Sequence, residues 1–256
     1  MARELHTARL VRRLPLSERA QCFHLEFVVD TLERFDFGAG QFISAVAQDA
    51  TGKQHTRAYS IASAPQENRF DLCLNRVEGG FFSNLLCDLK IGETVQFHGP
   101  HGLFTLRNPM VDGIFIATGT GVAPMRGFVQ HLFPESGEDR SGGRNFWLVY
   151  GTRYETDLYY QDYFEKIAAE RPNFHYLATL SRPQDGWQGT RGYVQELVGK
   201  IAEQGTNDWK LNGASSGLDH RVYAYICGLN DMVSANRDRL MGHGWEKKQI
   251  VFERYD

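Results

Sequence analysis

Ile114-Phe115-Ile116-Ala117-Thr118-Gly119-Thr120-Gly121-Val122-Ala123-Pro124 reads as an apolar strand, a glycine turn and the opening of a helix. An uncharged run of this kind suits a strand buried on both faces of a parallel sheet. The turn after it leaves backbone N–H groups at a helix start, where a phosphate can be held. Pro124 stands where the dinucleotide fingerprint G-x-G-x-x-G has its third glycine. Proline fits the first helical turn, whose N–H groups have no intrahelical partner.

Outward from this point the two directions differ. Downstream, helices are predicted over Val122–Leu132, Leu158–Ala169, Val194–Ile201 and Asp231–Met241. Strands are predicted over Phe146–Tyr150, Phe174–Leu180, Val222–Ile226 and Ile250–Phe252. That alternation predicts an α/β domain with a parallel sheet covered on both faces. Glu135–Arg144 and Gln204–Gly217 are polar and read as surface loops. Upstream, Cys22–Val29, Gln41–Ala47, Arg57–Ala62, Phe70–Val77 and Thr94–His98 read as short strands, with one helix over Phe82–Leu89. Closely spaced strands with little helix predict a closed antiparallel barrel. Pro109 interrupts the pattern, so the expected domains are 1–107 and 108–256.

Composition narrows the class. The chain has 256 residues, of which 42% are hydrophobic and 23% charged, as in ordinary globular proteins. A net charge of -3 argues against a dedicated nucleic-acid binder. The start lacks the apolar core of a signal peptide, and no run is long enough to span a bilayer. Cys22, Cys73, Cys87 and Cys227 are far apart in sequence, without the pairing a zinc or iron–sulfur site needs. The expectation is a reduced, cytoplasmic, metal-free enzyme, a monomer with neither nucleic acid nor membrane as partner.

Arg57-Ala58-Tyr59-Ser60 offers a cation, an aromatic face and a hydroxyl within one strand. Arginine forks onto phosphate, tyrosine can lie against an isoalloxazine ring, and serine can hydrogen-bond a flavin nitrogen. The plainer alternative is an edge strand with Tyr59 in the core and Arg57 in solvent. Gly79-Gly80-Phe81-Phe82-Ser83 offers further N–H groups, or is simply a turn into a helix. Gly99-Pro100-His101-Gly102-Leu103-Phe104 reads first as a turn.

In the second half, Tyr150-Gly151-Thr152-Arg153 ends a strand without the carboxylate that binds the bare ribose of NAD. Ser181-Arg182 follows the next strand, and Arg191 is expected to begin a helical region. These cations suit the extra phosphate of NADP, although each alone is as readily a solvated side chain. Cys227-Gly228 ends a late strand; the thiol either contacts a nicotinamide or is a small buried residue.

These motifs, together with Gly40-Gln41-Phe42, Gly192-Tyr193-Val194 and Glu253-Arg254-Tyr255-Asp256, resemble the ferredoxin–NADP reductase family in order and spacing from end to end. The resemblance implies an antiparallel Greek-key FAD barrel followed by a five-stranded parallel NADP domain. It implies hydride transfer from NADPH to FAD and single electrons passed reversibly to an acidic carrier, ferredoxin or flavodoxin. Arg57, Ala58, Tyr59, Ser60, Gly80, Phe81, Phe82 and Ser83 would then hold FAD. Thr118, Gly119, Thr120, Gly121 and Pro124 would face the nucleotide diphosphate, and Thr152, Arg153, Ser181, Arg182 and Arg191 the 2′-phosphate. Ser60, Cys227, Gly228 and Glu253 would lie at the hydride step, Glu253 as a proton relay. Tyr255 would cover the flavin face or stack on adenine. An acidic carrier calls for a basic patch, for which Arg9, Arg12 and Arg13 are candidates. Ser181-Arg182-Pro183, Trp187 and Gly192-Tyr193-Val194 are similar to NADH-using oxygenase reductases, which leaves an NADH-dependent flavin or oxygenase reductase as the alternative enzyme. The non-enzyme alternative is a flavin-binding regulatory module.

Overall fold

The computed structural model describes residues 4–203 and 222–255. The loop expected over Gln204–Gly217 and the terminal Asp256 lie outside the described residues. The chain divides into two compact units, one of Met1–Thr105 with Arg126–His131, the other of Leu106–Met125 with Leu132–Asp256.

The first unit contains β1 (His6–Ser17), β2 (Cys22–Val28), β3 (Phe42–Gln48), β4 (Gln54–Ser60), β5 (Arg69–Asn75), helix α1 (Phe81–Asp88) and β6 (Thr94–His101). All pairings are antiparallel, in the order β4-β3-β6-β1-β2-β5. A bridge from Ile61 to Leu72, with Ala62 N–H donating to Asp71 O at 2.8 Å, closes the sheet into a barrel. Inside it the rings of Phe27, Phe35, Phe70 and Phe97 meet at centroid distances of 5.2 to 5.7 Å, Phe27 stacked on Phe70 and the others in tilted and edge contacts.

β1 escapes a pattern reading because Arg12, Arg13 and Pro15 break its alternation. The sheet accommodates this: β1 pairs with β6 only through His6–Arg9, and Pro15 falls where β2 is its neighbour. Its arginines are engaged. Arg9 forks onto Asp30 at 2.7 Å, Arg12 reaches Glu26 at 3.1 Å, and Arg13 lies over the Phe23 ring. Arg9 and Arg12 therefore present neutralised pairs rather than a basic patch.

Arg126–His131 joins the first unit because of what these residues touch. Arg126 Nη1 donates to Ala62 O at 2.6 Å and to Asp71 Oδ2 at 3.0 Å. Ala64 N–H donates to Gln130 Oε1 at 3.0 Å, and the Phe128 ring meets Phe104 at 5.4 Å. Behind Asp71 lies buried His24, its Nε2 3.4 Å from Glu26 and 3.7 Å from Asp71. Burial first, then the Arg126 charge, push the His24 imidazole down to about 4, against the weaker upward pull of Glu26. Burial pushes the Asp71 carboxyl up.

His24 is thus favoured neutral in the fold and protonates near its ordinary value when unfolded. Its stabilisation is complete above about pH 6.5 and is lost as pH falls toward 4, a span worth about 3 kcal/mol. Asp71 acts in the opposite sense at the acid end. Unfolding measured from pH 7 to 4 is expected to show a shallower acid loss in His24→Gln than in the parent. Parallel curves would contradict that assignment.

The second unit contains β7 (Gly113–Thr118), α2 (Val122–Leu132, shared with the first unit), β8 (Phe146–Thr152), α3 (Gln161–Glu170), β9 (Phe174–Leu180), β10 (Thr190–Arg191), α4 (Val194–Glu203), β11 (Tyr223–Leu229), α5 (Asn230–Gly242) and β12 (Ile250–Tyr255). The order is β10-β9-β8-β7-β11-β12, all parallel. Among the described residues the sheet therefore has six strands where five were expected. The sixth is the two-residue β10, too short for a hydrophobic pattern, in which Arg191 pairs with Leu180. Arg191 lies on that strand and not at a helix start. Ile114, Ile116, Trp147 and Val149 pack with Val198 and Val233 in one cluster, while Phe115 meets Phe146 and Tyr225 on the alternate side. Among the described residues no helix is long and apolar enough to cross a membrane.

Candidate active site

In the first unit, β4 is a terminal strand of the sheet, and its side chains are only partly covered. Arg57 and Ala58 are exposed, Tyr59 is half-buried against the barrel core, and Ser60 is buried. Tyr59 therefore combines the two readings of its motif, one part in the core and one part open. Burial pushes its phenol well above the ordinary value, so it stays neutral, with Arg57 pulling the other way.

The Gly79–Gly80 turn comes to the same strand. The Phe81 ring at the start of α1 meets the His55 ring of β4 at 5.0 Å. Gly79 has φ +69, and a Cβ added there would meet nothing within 4 Å. The first turn of α1 carries no acidic residue and no side-chain cap bond. Uncapped N–H groups beside an exposed arginine fit an anionic diphosphate. Phe82 and Ser83 are buried: Ser83 Oγ accepts Val77 N–H at 3.1 Å and so braces the turn itself.

In the second unit the glycine loop sits on the end of β11. A Cβ on Gly121 would lie 2.2 Å from Cys227 O and 2.7 Å from its carbonyl carbon. A Cβ on Gly228, where φ is +152, would lie 2.7 Å from Thr118 Oγ1. Thr118, Gly119, Thr120, Gly121, Cys227 and Gly228 thus form one close-packed turn cluster. Gly119 has φ +53 and open space beyond it, and Pro124 is buried within the first turn of α2. This helix also lacks an acidic residue in its first turn. Beside it, Thr152, Arg153, Ser181 and Arg182 are tied by backbone bonds, Ser181 N–H to Thr152 O at 3.0 Å and Arg182 N–H to Arg153 O at 2.9 Å. Arg153, Arg182 and Arg191 are exposed. Arg191 Nη2 donates to Trp187 O at 3.0 Å.

The sequence matches the Oxidoreductase FAD-binding domain over residues 7–106 and the Oxidoreductase NAD-binding domain over residues 115–238. It is 40% identical over 254 residues to ferredoxin--NADP reductase B of Sorangium cellulosum, with 97% of each protein covered. The chain belongs to the ferredoxin–NADP reductase family. A second relative, the reductase component of phenol 2-monooxygenase from a Pseudomonas species, is 31% identical over 224 residues, 86% of this chain and 58% of that protein. The chain spans about half to three fifths of the plant and cyanobacterial reductases it also matches. A ferredoxin NADP+ reductase from Neisseria gonorrhoeae shares the fold at TM-score 0.80 and 20% identity, with 99% of each chain covered.

As a member of this family the chain is an FAD-dependent oxidoreductase. Glu253 pairs with Cys227 and Tyr255 with Leu229 along β12 and β11. Cys227 is fully buried; burial first, then the Glu253 charge, push its thiol well up, and a side-chain hydrogen bond from Tyr255 opposes them. Cys227 is therefore a neutral thiol under Tyr255, fitted to pack rather than attack. Tyr255 stands at the Cys227 end of its unit.

All four cysteines are buried and none forms a disulfide. Native protein is expected to react slowly with a maleimide, and Tyr255→Ala to add one fast-reacting thiol, mapped to Cys227 by mass spectrometry. An unchanged rate would mean that Tyr255 does not cover the sulfur.

Two residues of the site went unread in the sequence. Tyr150 Oη donates to Gly119 O at 3.0 Å and holds the glycine turn from the end of β8. His55 Nε2–H donates to Asp49 Oδ2 at 2.7 Å. Tyr150 heads the stretch Tyr150-Gly151-Thr152-Arg153, but its contact with the glycine turn lies outside that stretch, and His55 belongs to no short motif.

Proposed function

We propose that this oxidoreductase moves electrons reversibly between NADPH and a ferredoxin or flavodoxin, through FAD held by the first unit. The identity to the Sorangium reductase over nearly the whole of both proteins carries this reading. When bound, FAD accepts a hydride from NADPH and releases its electrons one at a time.

The chain's own residues position and tune. Arg57 and the first-turn N–H groups of α1, from Phe81 and Phe82, hold the FAD diphosphate, Ala58 leaves the strand face open, and Tyr59 gives a flat, neutral ring for the isoalloxazine. The Ser60 hydroxyl serves the flavin nitrogen that takes the hydride, and Glu253 relays the proton. The loop Thr118–Gly121 with Pro124 binds the NADPH diphosphate. Arg153, Arg182 and Arg191, with the hydroxyls of Thr152 and Ser181, take the 2′-phosphate. Cys227 and Gly228 shape the nicotinamide seat, and Tyr255 occupies it until the nucleotide displaces the ring. Buried cysteines without disulfides suit a reducing compartment, the cytoplasm.

Arg182→Ala is expected to lower kcat/KM for NADPH about 10- to 100-fold, as loss of a charged hydrogen bond does, and to leave NADH turnover nearly unchanged. Steady-state dye reduction with both nucleotides reads this directly, and equal losses would refute the 2′-phosphate assignment. The similarity to the phenol 2-monooxygenase reductase component favours a second reading, an NADH-linked oxygenase reductase. A parent enzyme that prefers NADH would select it.

A further inference from the structure

We propose that His55 and Phe81 form the platform on which the adenine ring of FAD stacks, a proposal that rests on the reading of Arg57 and Tyr59 as the FAD cradle. On β4, residues two apart share a face, so His55, Arg57 and Tyr59 stand in one row. Read from Tyr59 backward the row is aromatic, cation, aromatic. FAD has the same order: flavin ring, diphosphate, adenine. At the rise of an extended strand the row is about 14 Å from end to end, so an extended dinucleotide laid along it meets the three in turn.

The far end of the row is built as a ring site. The His55 and Phe81 centroids are 5.0 Å apart with planes at 41°, and Phe81 adjoins the Gly79–Gly80 turn. The diphosphate cradle is therefore flanked at one end by two rings in contact, one from each of its walls. The His55 side chain is 34% exposed and Phe81 is 38% exposed, and neither belongs to the barrel core. His55 is also held in orientation. Its Nε2–H donates to Asp49 Oδ2, while Asp49 Oδ1 accepts from Thr51 N–H at 2.9 Å, Thr51 Oγ1 at 2.6 Å and Lys53 N–H at 3.2 Å. A ring fixed in place loses little freedom when a base stacks on it. The other candidate for adenine, Tyr255, is hydrogen-bonded at Cys227 in the second unit.

FMN has the flavin and a phosphate but no adenine, so it separates the two ends. Full-length protein stripped of flavin is titrated with FAD and with FMN, following quenching of flavin fluorescence. His55→Ala and Phe81→Ala are each expected to raise the FAD Kd about tenfold, as loss of a base–aromatic stack does, with the FMN Kd unchanged. His55→Phe keeps a ring and is expected to stay within about twofold of the parent for FAD. Equal weakening of FAD and FMN, no weakening of FAD in either alanine variant, or a parent that binds FMN as tightly as FAD overturns the proposal. Arg57→Ala distinguishes the two levels of failure. If it weakens both flavins while the His55 and Phe81 variants do not discriminate, the adenine site alone is wrong. If it weakens neither flavin, the cradle is wrong and the adenine site falls with it.

Discussion

Gly121→Ala is expected to cut kcat/KM for NADPH by on the order of a hundredfold while FAD stays bound. The added Cβ would stand 2.2 Å from Cys227 O and 2.7 Å from Cys227 C, and Gly228 Cα is 3.0 Å away. These are backbone atoms at the end of a sheet strand flanked by β7 and β12, so they cannot swing aside as a side chain does. The glycine turn must retreat by an ångström or so, and a displacement of that size in a positioning element costs about two orders of magnitude. The proposed FAD cradle belongs to the other unit, and none of its atoms is among those nearest the added Cβ. The check is a visible spectrum for bound flavin beside steady-state kinetics with NADPH. Parent-like kinetics would show that the loop has room to move, and loss of flavin would show that the change reaches beyond the nucleotide turn.

Asp71→Asn is expected to destabilise the first unit by about 3–5 kcal/mol, because it leaves the Arg126 guanidinium buried beside a neutral amide. Both side chains are largely covered, 14% exposed for Arg126 and 17% for Asp71, so solvent does not replace the lost partner. Arg126→Met alone strands the carboxylate, which burial already pushes toward its neutral form, and its loss is expected to be smaller. Replacing both, Asp71→Leu with Arg126→Met, removes both desolvation costs and is expected to recover much of the stability. It still forfeits the Arg126 bond to Ala62 O. Thermal unfolding of the parent, Asp71→Leu, Arg126→Met and the variant carrying both closes a double-mutant cycle and measures the coupling. Additive losses would mean that the pair does not act as a unit.

The parts of the site legible in the sequence are those that one local segment supplies. Arg57 to Ser60 on a strand, Gly79 and Gly80 before a helix, and Thr118 to Gly121 after an apolar run each bring their own backbone geometry. Residues that act through a distant neighbour were not legible in this way. Tyr150 reaches Gly119 across the sheet, His24 and Asp71 meet only through strand pairing, and Cys22 and Cys73 bring their sulfurs to 3.8 Å from 51 positions apart. Arg9 and Arg12 misled for the same reason. In sequence they form a basic cluster with Arg13, but the strands on either side bring Asp30 and Glu26 to them.

The sequence by itself determined the two-domain plan, the barrel followed by the parallel sheet, and the family. Hydrophobic periodicity and glycine turns are properties of contiguous residues, and they survive without knowledge of what lies opposite. Only the tertiary structure decided that the sheet has a sixth strand, that Arg126 is paired with Asp71, and that Tyr255 bonds the Cys227 thiol. Each of those depends on which side chains face one another after the chain has closed on itself. A two-residue strand or a buried ion pair carries no period of its own, and its energy exists only once water has been displaced from around it.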